Sequence, residues 1–228
     1  MPNTFDDVCC PILELRQYTL HPGARDTLVR LFDRELIETQ EAAGMRIVGQ
    51  FRDRDDPDRF VWVRGFADMA SRAEALAAFY GGPAWKAHAR EANATMVDSD
   101  DVLLLRPADA GGGFDLRDRI RPAAGADTVP PALVVATICH RATPVDDEFL
   151  TFFQREVEPV LIKAGGAPVA RLRTEYAENT FPAPVSTRTD TSMALAAHVS
   201  VATMSSAIAV LVNALRTSLR ANVSTATR

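Results

Sequence analysis

One short helical pattern occurs twice in this chain, and that repetition constrains the fold more than any other feature. Leu31-Phe32-Asp33-Arg34-Glu35-Leu36 is matched 121 residues later by Phe152-Phe153-Gln154-Arg155-Glu156-Val157. In both stretches apolar residues recur at helical spacing around an Arg-Glu pair, the mark of a helix with one buried stripe. A second match, Met69-Ala70-Ser71 on Met204-Ser205-Ser206, is spaced by 135 residues, and the longer loop after Tyr176 accounts for the difference. Repetition over this length points to a duplicated supersecondary unit.

The segments around each copy define that unit. Ile12 to Leu20 alternates, with Leu13, Leu15, Gln17 and Thr19 on one side and Glu14, Arg16, Tyr18 and Leu20 on the other, so it reads as a strand. His21-Pro22-Gly23 breaks it, and Pro22 is placed to open a helix with the stripe Leu28, Leu31, Phe32, Leu36 and Ala43, stopped at Gly44. Met45 to Phe51 and Arg59 to Phe66 make a hairpin around the charged turn 53–58. Met69 to Tyr80 is helical, Gly81-Gly82 interrupts it, and Pro83 restarts a helix that reaches Met96. Asp98 to Asp101 reads as a loop before the apolar strand Val102 to Leu105. The order β-α-β-β-α-β is the ferredoxin-like unit.

The order returns after residue 132. Leu133 to His140 is a strand, and Thr143-Pro144 opens a helix striped by Phe149, Phe152, Phe153, Val157 and Leu161. Ala167 to Tyr176 and Thr191 to Val201 are strands, Ser205 to Leu219 a helix, and Arg220 to Arg228 a short last strand. The fold class expected is therefore α+β: tandem ferredoxin-like (βαββαβ) repeats forming an α/β-barrel, because two sheets with helices on one face can cover each other's bare faces. Residues 1–106 are the first half, 107–131 a Pro-, Ala-, Gly- and Asp-rich linker, and 132–228 the second half.

Composition narrows the partners. A net charge of -5 argues against a nucleic-acid binder, which carries a basic stripe. No apolar run has the length of a membrane span, and the acidic N-terminus does not read as a secretory signal. Cys9, Cys10 and Cys139 have neither zinc spacing nor a disulfide pattern, so they read as buried thiols of a cytoplasmic protein. No Walker, G-x-G-x-x-G or G-x-S-x-G arrangement is present, and no two histidines have a metal-binding helical spacing.

The two copies differ where a site would lie. Under the offset of 121, Glu14, Arg16 and Tyr18 fall on Val135, Thr137 and Cys139. Under 135, Trp62, Tyr80, Trp85 and His88 fall on Ala197, Leu215, Arg220 and Val223. Rings, charges and a histidine are thus kept in the first half alone, which places the site there. A helix from Pro83 sets Trp85, His88, Ala92 and Met96 on one face. Glu14, Arg16, Gln50, Arg52, Trp62 and Arg64 alternate along strands and can converge, either to take an anionic aromatic ligand or to pair with each other. His88 is either an iron ligand or a histidine satisfied within the fold.

Taken together, Glu14 to Leu20 with Pro22-Gly23, Gly44 to Phe51, Phe60 to Phe66, Phe79-Tyr80-Gly81-Gly82-Pro83 with Trp85 and His88, and Asp98-Ser99-Asp100 before Val102 to Leu105 resemble the NIPSNAP family. The resemblance covers about 12–106 and continues more weakly through Phe114 to Arg117 and the second copy. It implies the dimeric α/β-barrel superfamily, which includes cofactor-independent monooxygenases, haem-dependent and haem-degrading enzymes, and isomerases. In the haem-degrading branch a histidine on the second helix ligates iron, and His88 is in a comparable place. The resemblance supplies no reaction; the leading expectation is a small-molecule enzyme that self-associates as a homo-oligomer, with monooxygenase-like or isomerase-like chemistry on an aromatic or hydrophobic ligand, haem-dependent or cofactor-free. His88 and Tyr18 are its expected catalytic groups, and Arg16, Trp62, Arg64, Tyr80, Trp85 and Met96 its expected ligand contacts. The competing expectation is a non-catalytic binding or scaffold protein.

Overall fold

The computed structural model describes residues 8–117, 121–123, 133–141, 143–181 and 191–199. In chain order the elements are β1 (Val8–Cys9), β2 (Ile12–Leu20), α1 (25–42), β3 (Arg46–Arg52), β4 (Arg59–Phe66), α2 (Met69–Gly81) and α3 (Pro83–Asn93), then β5 (Met96–Pro107), β6 (Phe114–Asp115), β7 (Leu133–Arg141), α4 (147–163), β8 (Pro168–Thr174) and β9 (Thr191–Val199). Two units result: Met1–Val129 with Thr174–Thr189, and Pro130–Arg173 with Asp190–Arg228.

In the first unit β3, β4, β2 and β5 lie side by side, each pair antiparallel. With α1 after the first of these strands and α2–α3 after the third, this is the ferredoxin-like order. The alternation of β2 sets Ile12, Tyr18 and Leu20 on the face that packs with Leu28, Leu31, Phe32 and Leu36 of α1 and Leu76 and Phe79 of α2. Leu13 and Leu15, which alternate with them, are buried as well, as are Val63, Leu103 and Leu105. A strand buried on both faces has no solvent side on which to place a charge.

Both long helices carry a π-helical turn, Phe32–Leu36 in α1 and Phe153–Val157 in α4. These turns coincide with the repeated sequence pattern. A π turn inserts a residue and rotates the following stripe, so that Phe32, Leu36, Ile37 and Gln40 are all buried. In the second unit β8, β9 and β7 are neighbours in that order, with β9 antiparallel to both β7 and β8. The expected helix 205–219 and last strand 220–228 lie outside the described residues.

Several local expectations change. Pro22-Gly23 forms a turn closed by the Ala24 amide donating to the His21 carbonyl (2.9 Å), with Gly23 at φ 76, so α1 starts at Arg25 rather than Pro22. Gly82 is extended between α2 and α3, and a Cβ there would meet the Ala78 carbonyl oxygen at 2.7 Å. Pro83 then opens α3 as expected, but α3 ends at Asn93, where Thr95 donates its amide and hydroxyl to the Ala92 carbonyl (3.0 and 2.6 Å). Met96 is therefore in β5, paired with Leu20, and not on the helix. Asp98 to Asp101 is strand rather than loop, with the β2–β5 register shifting opposite Gln17 to Leu20. Asp146, not Thr143, caps α4, its carboxylate accepting from the Phe149 amide at 2.8 Å. Cys9 and Cys10, expected as thiols, are buried and joined in a disulfide. Phe114–Asp115, inside the expected linker, pairs with Val8–Cys9. Among the described residues no helix is long and apolar enough to cross a membrane.

Candidate functional site

The register of the first sheet builds an ionic cluster in its interior. Glu14 of β2 stands opposite Arg64 of β4, and Arg16 stands opposite Trp62. Even-numbered residues of these strands share one face, and that face lies under the helices. Arg72 reaches the same place from α2, on the stripe it shares with Ala75, Leu76 and Phe79. Glu14 accepts from all three guanidiniums: Arg64 Nε at 2.8 Å and Nη2 at 2.7 Å, Arg16 Nη1 at 2.9 Å, and Arg72 Nε at 2.7 Å. Glu14 is fully buried, and Arg64 and Arg72 are 1% exposed. Burial works to raise the Glu14 pKa, but Arg64, Arg16 and Arg72 outweigh it and lower the carboxyl to about 2.

Neutral groups complete the arginines' bonding. Arg64 Nη1 donates to Gln40 Oε1 (3.2 Å), Arg72 Nη1 to Asn179 Oδ1 (3.0 Å), and Arg16 Nη2 to the Ser99 carbonyl (3.3 Å). The β2–β5 register is irregular beside Ser99. Arg16 Nε donates to the Tyr18 hydroxyl at 2.9 Å. Burial pushes the Tyr18 phenol above its ordinary value although Arg16 pulls it down. The phenol is thus neutral, accepts from Arg16, and keeps its own proton to donate.

Aromatic rings surround the guanidiniums. Arg16 lies 5.4 Å from the Tyr18 ring and 5.6 Å from the Trp62 ring, and Arg64 lies 5.1 Å from Trp62 and 5.9 Å from Tyr80. Tyr80 meets Trp85 edge-on at 5.1 Å, and Phe181 stacks on it at 5.4 Å. Tyr80 and Trp85 are only partly buried. Trp62 is 2% exposed, and its Nε1 has no hydrogen-bond partner among the described residues.

The structure thus brings Glu14, Arg16, Tyr18, Trp62, Arg64 and Tyr80 together, with Trp85 against Tyr80. Gln50 and Arg52, on β3, face α1 instead: Gln50 donates to Asp33 at 2.7 Å, and Arg52 pairs with Asp26. Met96 packs at the edge of the apolar core. His88 is on α3 with 26% of its side chain exposed, and its Nε2 lies 3.5 Å from the Glu35 carboxylate on the π turn of α1. That nitrogen faces a neighbouring helix's carboxylate rather than the ring cluster. An axial haem position at His88 does not fit this pairing, and no step is derived through haem. Among the described residues no group of three or more His, Cys, Asp or Glu could hold a metal ion.

Arg72, Gln40, Asn179 and Phe181 were missing from the sequence reading. The first two carry a readable signal, a polar residue inside an apolar helical stripe. Asn179 and Phe181 carry none, since they arrive from a segment about a hundred positions away.

Residues 13–110 match the family described as NIPSNAP. This segment belongs to the NIPSNAP family. The NIPSNAP segment contains every member of the ionic cluster; Asn179 and Phe181 join it from outside. Solved structures similar to the chain include a NIPSNAP family protein of unknown function from Agrobacterium tumefaciens (24% identity, 43% of this chain and 89% of that one, TM-score 0.41). A NIPSNAP-like domain protein from Burkholderia xenovorans is 23% identical over 53% of this chain and 91% of that one (TM-score 0.38). An antibiotic biosynthesis monooxygenase is 24% identical over 41% of this chain and 94% of that one (TM-score 0.33). No curated protein matches the chain.

Proposed function

We propose that this chain is a small-molecule protein whose ligand, an aromatic or hydrophobic compound, is held in the first unit beside Tyr18, Trp62, Tyr80 and Trp85. One observation carries the reading. A connected set of rings adjoins buried arginines that a sheet interior does not need, and its outer members, Tyr80 and Trp85, are partly open to solvent. Aromatic walls with a few fixed polar groups are the usual make-up of a small-molecule site. The chemistry favoured is cofactor-free oxygenase- or isomerase-type conversion, with Tyr18 as the neutral proton donor and Arg16 or Arg64 orienting a polar group. His88, tied to Glu35, contributes at the rim of α3.

The same reading takes the chain as two ferredoxin-like halves in tandem. Its support is the shared strand order and the π turns spaced as the repeated sequence is.

The chain has two tryptophans, Trp62 and Trp85, and both are in this site. Titration with a panel of indoles, naphthols and substituted phenols should therefore change intrinsic fluorescence saturably and raise Tm. Trp85→Phe isolates the Trp62 signal. A panel that changes neither fluorescence nor Tm would count against the site and favour a scaffold role.

A further inference from the structure

The ionic cluster is unbalanced, and the imbalance names a ligand class. Among the described residues three arginines meet one carboxylate, which leaves two formal positive charges in excess within a buried region. Buried charge is costly unless it is paired. Gln40, Asn179 and Ser99 satisfy hydrogen-bond geometry but bring no negative charge.

A second and independent observation lies beside it. The Trp62 indole N–H is a buried donor with no acceptor among the described residues. Buried donors are satisfied in the large majority of cases, and an exception calls for a reason. Arg16 and Arg64 lie over this same ring, and Tyr18, whose hydroxyl keeps a proton to donate, meets it edge-on at 6.0 Å. An orphan donor, a phenol proton and surplus guanidinium charge want the same thing: an acceptor with negative charge.

We propose that Trp62, Tyr18 and the surplus charge of Arg16, Arg64 and Arg72 form the seat of an oxyanion, the carboxylate or phosphate head of an aromatic ligand. Arg16 is the most exposed of the three, with 11% of its side chain accessible, so the head approaches from its side. Glu14 then holds the guanidiniums in place and does not compete, because its outward lone pairs are already taken by them. The proposal rests on the aromatic site argued above and adds the charge of what enters it.

Benzoate, phenyl phosphate and the neutral benzamide are the probes, titrated calorimetrically into the full chain at matched ionic strength. At least one anion should bind about tenfold or more tightly than benzamide, since charge-assisted hydrogen bonds are each worth more than neutral ones. Trp62→Phe keeps the ring and removes the N–H. It should weaken the preferred anion several-fold more than it weakens benzamide, narrowing the gap between the two. Tyr18→Phe is the second variant, with the same expected pattern. If benzamide binds as tightly as both anions, the oxyanion seat is overturned while the aromatic site stands. If both variants bind the anion as the parent does, the seat is also overturned. If none of the three probes binds, the seat is overturned, and the fluorescence panel decides separately whether the aromatic site falls with it.

Discussion

The two units run three strands in the same order, β3-β4-β2 in the first and β8-β9-β7 in the second. In each, a helix with a π turn follows the strand that comes first in sequence. What differs is the content of that strand. Glu14, Arg16 and Tyr18 of β2 stand 121 residues before Val135, Thr137 and Cys139 of β7, the spacing of the repeated sequence pattern. The second unit forms its three strands and striped helix with none of these charges. A buried Glu-Arg cluster is therefore not a requirement of this arrangement. The cluster carries a desolvation cost in one unit, and the ligand site proposed above would account for it.

Substituting one strand position in each unit tests that comparison most severely. Glu14→Gln keeps the shape of the side chain and leaves three buried guanidiniums without their anion. The loss in unfolding free energy should be about 3–5 kcal/mol, large enough to unfold a marginal domain. Val135→Ala, at the corresponding position of β7, should cost about 1 kcal/mol. Urea denaturation of both variants gives the ratio; equal losses would remove the distinction between the units.

Acid provides the same test without mutation. The Glu14 carboxyl is lowered from its ordinary 4.5 to about 2 in the folded chain. Its stabilisation is complete above the unfolded value and is lost as pH falls through the folded one. Between pH 4.5 and 2, up to about 3 kcal/mol should disappear. Stability measured across this range should fall steeply in the parent chain, and the Glu14-dependent part of the slope should be missing in Glu14→Gln.

The first sheet was legible because its signals are local. Period-two alternation sets Glu14, Arg16 and Tyr18 on one face, and Gly82-Pro83 marks the start of α3. Those signals also gave the right side of β2 to the charges. They failed where partners override composition. Asp98-Ser99-Asp100-Asp101 reads as a turn, yet its pairing with Thr19 and Gln17 makes it strand, and the carbonyl of Ser99 becomes a ligand of Arg16. The sheet positions Glu14, Arg16, Trp62 and Arg64 were found by alternation. Gln50 and Arg52 were grouped with them, because alternation reveals the face of a strand but not which side chains a helix draws away. Arg72 was visible as a charge on the stripe of Ala75, Leu76 and Phe79, and reading it as a cluster member required knowing that α2 lies over Glu14.

Cluster arithmetic gives a subtler prediction. In a balanced pair, removing either partner strands the other. Here cations are in surplus, so Arg72→Met should cost less than Glu14→Gln. About 1–2 kcal/mol is expected, from lost bonds to Glu14 and Asn179 partly offset by relief of repulsion among the guanidiniums. The same variant should weaken binding of an anionic probe and leave a neutral one unaffected. A cost equal to that of Glu14→Gln would show that the surplus charge is already neutralised, and would undo the reading of the cluster as a seat.

The smallest effect belongs to His88, and it sharpens the contrast between two ionic contacts of one unit. The cluster is buried and unbalanced; the His88–Glu35 contact is half-open and reached by solvent. Arg34 also pairs with Glu35 at 2.7 Å, and it lowers the carboxyl pKa more than His88 does. Exposed pairs of this kind contribute little, since water and salt screen them. His88→Ala should therefore leave Tm within the scatter of replicate melts, with the fluorescence response of Trp62 to ligand unchanged. A large loss of that response without loss of stability would move the centre of the chemistry from the sheet to α3, and His88 rather than Tyr18 would then be the group that handles the proton.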